Sequence, residues 1–332
     1  MNKYEELIEC GNLAIADMAS KCEAVFASHK KAHVGISGGA DSDVMLDLCE
    51  RVKTVQPIDV TYDFIDTGLE YQATKNHIAW LEDRYRVKIV RTRAVETIPM
   101  CVKKYGQPFM SKMVSHHIGI LQSHGFKWED NTLAVLKVKY PDIPESTLKW
   151  WCSAYETKHG VMSSYCIGRN RWLKEYVMEN PPTFRVSAKC CTRAKKLTKQ
   201  RVLAEGGFDL DMYGTRRAEG GVRALSGKCF DQGRVDAYRP LFWLTNADRE
   251  HYDRAFGIRH SDCYGLWGFE RTGCVGCPFN KKVQSDLMTV ERHEPNMAKA
   301  ARSIFAESYE YTLGYEEFRR EKKSGGQLRM RM

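Results

Sequence analysis

The spacing of apolar positions makes the first division of this chain. Between Glu5 and Phe26 the residues Leu7, Leu13, Ile15, Met18, Cys22, Val25 and Phe26 recur at mostly helical intervals, which predicts one leading amphipathic helix. The pattern then changes to short β-type runs: Ala32 to Ile36, Ile58 to Ile65, Val87 to Arg91 and, later, Phe208 to Tyr213. Helical stretches over Ser42 to Val55 and Glu70 to Tyr85 separate the first three. Strand and helix in alternation predict an α/β fold, a parallel sheet with crossover helices. From about Val95 to Pro182 the chain reads as a helical insertion with Trp150, Trp151, Trp172 and many lysines. After Thr245 it is again mainly helical, ending in a charge-dense stretch from Gln284 to Lys322, then Gly325 and Gly326 before a basic tail. With no internal repeat, low-complexity tract or Pro- or Ser-rich linker, one compact unit with insertions is expected. The boundaries fall at 1–94, 95–182, 183–280 and 281–332.

Composition narrows the class. A 332-residue chain with 43% hydrophobic and 28% charged residues is ordinary globular protein, not disordered. A net charge of +9 is compatible with an anionic partner, a nucleotide or a nucleic acid. No apolar window reaches the length of a membrane span, and the start, Met1 to Glu6, has no leader pattern, so a cytoplasmic location is expected. There the twelve cysteines stay reduced, and any that cluster point to metal binding or redox chemistry rather than disulfides.

The segment Val34-Gly35-Ile36-Ser37-Gly38-Gly39-Ala40-Asp41-Ser42 runs from an apolar strand directly into a helix. That path points backbone N–H groups at an anion. Gly38 and Gly39 let the backbone approach phosphate without a Cβ, and the hydroxyls of Ser37 and Ser42 sit by the positive end of the helix dipole. The bland alternative is a strand-to-helix turn capped by Asp41 or Ser42. Farther on, Gly214 and the pair Gly220-Gly221 permit a loop carrying Arg216, Arg217 and Arg223 to curl around an anion.

Two cysteine pairs form the second constellation. Cys190-Cys191 precedes a basic run with Arg193, Lys195 and Lys196, and Cys274-Val275-Gly276-Cys277 lies in a Gly-rich loop. Four thiols in two close pairs can fold onto one metal centre, iron–sulfur or zinc. Buried thiols acting as small hydrophobes are the alternative. Lys189 and the basic run would lower nearby thiolate pKa values or pair with an anion, unless they form a solvated helix face.

The Ser37-Gly38-Gly39-Ala40-Asp41-Ser42 segment resembles the PP-loop of the adenine nucleotide alpha-hydrolase superfamily, and Asp66-Thr67-Gly68 resembles the strand-ending segment of phosphoadenosine phosphosulfate (PAPS) reductases. The order of motifs, continuing through Ser187 to Cys191, Gly214 to Glu219, Pro240 to Trp243 and Thr272 to Cys277, is similar to that of the PAPS reductase family. The resemblance implies a PP-loop α/β domain binding ATP or a sulfonucleotide at Ser37 to Ser42, Asp66, Thr67, Gly68, Gly214, Arg216, Arg217 and Arg223, with Mg²⁺ if ATP is the ligand. It favours [4Fe-4S] over zinc on Cys190, Cys191, Cys274 and Cys277, as in adenylyl sulfate reductases. The insertion and the tail fall outside it. Many relatives have Lys where Ala40 stands, which shifts phosphate neutralisation to arginines such as Arg93, Arg216, Arg217 and Arg223, and Asp41 to helix capping or Mg²⁺.

Assimilatory sulfonucleotide reductases use a nucleophilic cysteine near the C-terminus, and this chain has none after Cys277. Cys229 and Cys263 are the remaining candidates, and no catalytic residue is assigned. The resemblance then leaves three readings: ATP-dependent adenylation with sulfur transfer to a nucleic acid or small molecule, a sulfur-donor protein being a possible partner; reduction of adenylyl sulfate or PAPS; and a non-catalytic nucleotide-binding iron–sulfur sensor or complex subunit. His116, His117 and His124 lack a metal-site pattern, Trp243 is expected in the core, and Thr245 to Asp248 reads as a capped helix start.

Overall fold

The computed structural model describes residues 2–225 and 227–329. Packing divides the chain into two units, Met1–Thr97 with Ala194–Cys274 and Ile98–Arg193 with Val275–Met332. The chain therefore passes between units three times. The sequence-derived boundaries at 94, 182 and 280 lie three to eleven residues from these passages.

The first unit is α/β. Its strands are β1 (Lys31–Gly35), β2 (Asp59–Asp66), β3 (Ile89–Arg93), β4 (Leu210–Tyr213), β5 (Phe230–Asp231) and β6 (Asp236–Tyr238). They form one sheet in the order β3-β2-β1-β4-β6-β5, parallel except for the antiparallel β5. Helices α3 (Ala40–Val52) and α4 (Gln72–Tyr85) are the crossovers between the first three strands. The core gathers Val34, Val44, Leu48, Phe64, Ile78, Leu210 and Met212, apolar surface whose removal from water drives the packing. β1 also carries a buried polar centre: His33 Nδ1 lies 2.9 Å from Asp211 Oδ1 and its Nε2 3.4 Å from Asp63. Lys199 reaches the second Asp211 oxygen at 2.5 Å. Burial works against the His33 charge, yet the flanking carboxylates raise its pKa.

Strand and crossover boundaries match the apolar pattern to within about three residues, and the short β5 and β6 were not foreseen. The leading helix is a correction. It is two helices, α1 (Lys3–Ile8) and α2 (Leu13–Ala27). Gly11 takes φ +77°, and the Asn12 side chain accepts from the Ala14 and Ile15 amides at 2.9 and 3.2 Å, starting a new helix where continuous periodicity suggested none. Trp243, expected in the core, is 46% exposed and lies under the Arg217 guanidinium, 5.6 Å from the ring centre. After α11 (Thr198–Glu205) comes α12 (Asn246–Phe256), which Thr245 does cap in a reciprocal capping box with Asp248, and then the short α13 (Asp262–Gly265).

The second unit is mainly helical: α5 (Ile98–Tyr105), α6 (Lys112–Ser123), α7 (Leu133–Lys139), α8 (Glu145–Trp151), α9 (Leu173–Glu179) and α10 (Lys189–Cys191), with α14 (Val283–His293), α15 (Pro295–Ile304) and α16 (Ala306–Arg329). Trp150 and Trp151 are fully buried in its core with Phe109, Ile118, Leu121 and Leu148, so their rings serve packing. His117 stacks on Trp150, and its two nitrogens meet Thr147 and Tyr165 hydroxyls at 3.0 and 3.1 Å. Burial, aided by His116, lowers its pKa to about 4. The helix expected to stop before Gly325 and Gly326 runs on to Arg329, and Met330, Arg331 and Met332 of the basic tail lie outside the described residues. Among the described residues no helix is long and apolar enough to cross a membrane.

Candidate functional site

β1 ends at Gly35, and α3 begins at Ala40 after a four-residue loop. In the loop Gly38 adopts φ +67°, and a Cβ there would stand 2.5 Å from Thr74 Cγ2 on α4. Glycine is thus required twice over, for its conformation and for its space. Gly39 is the N-cap residue of α3 and has no side chain to satisfy the first-turn amides. The Ser42 hydroxyl donates back to the Gly39 carbonyl at 2.7 Å, and Ser37 Oγ accepts from the Gly39 amide at 3.3 Å. A helix start with no N-cap side chain over it, and the dipole end of α3, are what an anion binds.

This loop opens on a cleft of about 700 Å³ contained within the first unit. Its wall includes Ser37, Gly39, Ala40, Asp41, Ser42, Gly214, Arg216 and Arg223 of the expected set. Gly214 permits the close approach: a Cβ on it would meet the Asp41 carbonyl oxygen at 2.8 Å. Of the two roles expected for Asp41, helix capping or Mg²⁺, the first is corrected, because Gly39 is the N-cap residue and has no side chain to cap the helix. Asp41 sits in the first turn of α3 and pairs with Arg216 Nε at 2.9 Å, while Arg216 Nη1 donates to Asn246 Oδ1 at 2.9 Å. Burial, with the nearby Glu219 charge, raises the Asp41 pKa against the pull of Arg216. Glu219 in turn binds Arg223 at 2.8 Å and Arg271 at 3.0 Å. Arg216 is thus held buried on a carboxylate beside the loop, while Arg223 and Arg271 are paired with Glu219 and remain partly in water.

The remaining expected residues lie off this wall. Gly38 is turned against Thr74, and Arg217 is exposed at Trp243. Arg93 is an exposed strand-end residue. Asp66, Thr67 and Gly68 form a closed turn after β2: Asp66 accepts from the Gly68 amide at 2.8 Å, and Glu70 accepts from the Thr67 amide at 3.0 Å and from its hydroxyl. Thr67 Oγ1 lies 3.9 Å from Cys274 Sγ. Several wall residues escaped the sequence reading. Arg249, Glu250, His260 and Tyr264 have no motif to betray them. Arg271 and Thr272, next to Gly273-Cys274, had a signal in that adjacency. The Tyr264 hydroxyl meets the Thr272 hydroxyl at 2.9 Å, near Gly39.

His260 ties the cleft to the interior, with Nδ1 2.8 Å from the fully buried Asp43 and Nε2 3.1 Å from Asp253. Burial alone would lower its pKa, but these hydrogen bonds and charges outweigh it and raise the value from 6.5 to about 9. The folded value lies above the unfolded one, so the stability this imidazolium contributes is complete below pH 6.5 and is lost as pH rises through 9. The melting temperature should therefore fall over that window more in the wild type than in His260→Gln, and the His260 ring proton should titrate near pH 9 by NMR. A ring that titrates at 6.5 or below would contradict the assignment.

Of the four cysteines expected to bind metal, Cys190, Cys191 and Cys277 belong to the second unit and Cys274 closes the first. Among the described residues, no group of three or more His, Cys, Asp or Glu side chains is drawn together as a metal site. The donor set nonetheless suits a thiolate-bound metal in kind. The turn between the second pair is also built for one shape: Gly276 takes φ +61°, a Cβ on it would stand 2.5 Å from the Tyr309 hydroxyl and 2.7 Å from Ala301 Cβ, and Tyr309 donates to the Gly276 carbonyl.

A mostly parallel sheet, a glycine loop running from its central β1 into α3 and an arginine-bearing cleft make an α/β unit with a site whose shape and charge suit an anion. Residues 31–116 match the model of the phosphoadenosine phosphosulfate reductase domain. An uncharacterised protein of Methanocaldococcus jannaschii is 42% identical over 79 residues, 24% of this chain and 16% of that protein, so the match spans about a sixth of the relative's length. Similar solved structures include the PAPS reductase of Candida auris in its phosphate complex, at 13% identity over 82% of this chain and 88% of that one, TM-score 0.41. Others are the U34-tRNA thiolase of Methanococcus maripaludis with its [4Fe-4S] cluster (14%, 92% and 78%, TM-score 0.36) and the NH3-dependent NAD synthetase of Campylobacter jejuni (12%, 89% and 95%, TM-score 0.32).

Proposed function

We propose that the chain is an adenine-nucleotide enzyme that adenylates an acceptor oxygen with ATP, after which a sulfur nucleophile displaces AMP. The observation that carries this reading is the Ser37-to-Ser42 loop opening on a cleft walled by Arg216, Arg223, Arg249 and Arg271. In the proposed reaction the helix-start amides hold the departing pyrophosphate, and the arginines offset charge as it leaves. The cleft wall carries the carboxylates Asp41, Glu219, Glu250 and Glu270, of which Asp41 would help to hold Mg²⁺, whose role is to neutralise phosphate charge. The acceptor, a nucleic acid or a small molecule, and a sulfur-donor protein are further parts of the proposal.

Cys190, Cys191, Cys274 and Cys277 would hold a [4Fe-4S] cluster, zinc being the alternative, and a cluster would supply thiolate-bound iron for redox or sulfur handling. The reductase alternative needs a nucleophilic thiol at the nucleotide. No cysteine is among the residues on the described cleft wall, and Cys263 is wholly buried, 4.0 Å from Thr74 Oγ1. These observations favour adenylation. The deciding experiment pairs an iron and acid-labile sulfide assay on anaerobically prepared protein with turnover measurements. Pyrophosphate released from ATP and Mg²⁺ is expected. Sulfite from adenylyl sulfate or PAPS without pyrophosphate would move the assignment to reductase, and nucleotide binding without either product to the non-catalytic reading. One zinc per chain would remove the cluster.

A further inference from the structure

The hydroxyls of Ser37, Ser42, Tyr264 and Thr272 gather at the start of α3, and each has one proton to place. Ser42 donates its proton to the Gly39 carbonyl at 2.7 Å. Ser37 Oγ accepts from the Gly39 amide at 3.3 Å and donates to Ser42 Oγ at 3.4 Å. Both serine protons are therefore used inside the loop. Tyr264 and Thr272 come from outside it. Their oxygens stand 3.2 and 3.7 Å from the point that a Cβ on Gly39 would occupy, and Ser37 Oγ is 3.2 Å from the same point.

The direction of the bond between Tyr264 and Thr272 follows from the same count. The Tyr264 oxygen accepts from the Thr272 amide at 3.3 Å and from the amide of Ala40, the first residue of α3. With two amides on it the phenolic oxygen is filled as an acceptor, so the 2.9 Å bond to Thr272 Oγ1 runs from phenol to threonine. Burial raises the Tyr264 pKa against the pull of these hydrogen bonds, and the phenol keeps the proton it donates. Tyr264 itself is fixed on α13, its amide donating to the Ser261 carbonyl at 2.9 Å and its carbonyl accepting from the Gly268 amide at 3.1 Å. The one proton still to be placed is on Thr272 Oγ1. It finds no acceptor among the described residues beyond the filled Tyr264 oxygen, and Thr272 belongs to the cleft wall.

We infer that Thr272 is the hydroxyl that donates to a phosphoryl group bound at the start of α3, and that Tyr264 is a positioning residue acting through it. The inference rests on the phosphate-loop reading and adds to it a donor from outside the loop. Amide, phenol and threonine form a chain in which each donor polarises the next, so the last hydroxyl is a stronger donor than an isolated one. Its oxygen is also held in place by the phenol, which lowers the entropy that binding an anion must take from the side chain. The wall arginines supply charge to the same ligand; Thr272 supplies a directed hydrogen bond. Every residue in the chain lies in the first unit.

The test is calorimetry on the full chain with inorganic pyrophosphate and with a non-hydrolysable ATP analogue. Thr272→Val keeps the shape and removes the hydroxyl, and its affinity for both ligands should fall at least about tenfold, the scale of a hydrogen bond to a charged group. Its melting temperature should stay at the wild-type value. Thr272→Ser restores the hydroxyl and should bind within about threefold of wild type. Tyr264→Phe should weaken binding by roughly three- to tenfold. Added to Thr272→Val it should change affinity no further, the non-additivity of a residue that acts through another. Wild-type affinity in Thr272→Val beside reduced affinity in Gly38→Ala would overturn the inference and leave the loop reading in place, as would additive losses in the double variant or tighter binding in Tyr264→Phe. A wild-type chain that binds neither ligand would overturn both.

Discussion

Gly38→Ala is expected to reduce nucleotide affinity on the order of 100-fold, equivalent to ~2.7 kcal/mol, and to destabilise the fold by about 1–3 kcal/mol. Two separate costs act at this position. An alanine at φ +67° carries left-handed strain, and its Cβ would press to 2.5 Å on Thr74 Cγ2, a side chain buried in α4 that has nowhere to swing. Either the loop lifts away or α4 shifts, and both move the amides at the start of α3. The two costs separate in a double-mutant cycle: Thr74→Ala should restore part of the stability lost in Gly38→Ala by removing the clash, while leaving the strain. Urea unfolding reads the stability, and calorimetry with a non-hydrolysable ATP analogue reads the affinity. Wild-type affinity in Gly38→Ala would remove this loop from the phosphate site, whatever its stability.

The second large effect lies beneath the same helix. Asp47 on α3 is buried and accepts from Arg51 Nε at 2.6 Å, the Tyr252 hydroxyl at 2.8 Å and the Tyr85 hydroxyl at 3.1 Å. Arg51 is itself mostly buried, with its guanidinium 4.3 Å above the Phe256 ring. Asp47→Ala strips the countercharge from that guanidinium and leaves two phenols without an acceptor. A loss of about 3–5 kcal/mol is expected, a large part of the ~5–15 kcal/mol that holds a typical domain folded. Glu6, 2.6 Å from Arg51 but partly exposed, compensates in part at most. Replacing the pair together, Asp47→Leu with Arg51→Met, should recover much of the loss in urea unfolding, because the cost arises from the orphaned charge. A single Asp47→Ala chain as stable as wild type would show that the group is not the anchor described.

These two sites also show what could be seen before any coordinates. The loop at Gly38 was legible because a local requirement, a strand turning into a helix with room for an anion, leaves a compact trace in consecutive residues. The strands around it were legible for the same reason, as apolar runs of the right length. Asp47, Arg51, Tyr85 and Tyr252 were invisible: they are polar residues on three helices, and only tertiary packing brings them together. His33 with Asp63 and Asp211 is another such case, a charge network inside a sheet where pattern alone predicts hydrocarbon. In the cleft, Arg216 and Arg223 were legible from their glycine-rich loop. Their binding to Asp41 and Glu219 was not, because pairing across 175 residues in the Arg216 case leaves no spacing to read. The leading helix was misjudged because Gly11-Asn12, a stop and a new cap, interrupted a periodicity that otherwise ran through it.

The order of strands sets a timetable for synthesis. β1 lies in the middle of the sheet, between β2 and β4, yet β4 begins at Leu210, long after β1 to β3 are complete at Arg93. At roughly 5–20 residues per second on the ribosome, about 6–23 s pass between the two events. Throughout that interval the nascent chain presents Lys31 to Gly35 as an open parallel edge, the surface from which strands recruit foreign partners. The emerging polypeptide is thus open to wrong strand pairing at one defined stage, which ends when the second half of the sheet arrives to close over β1.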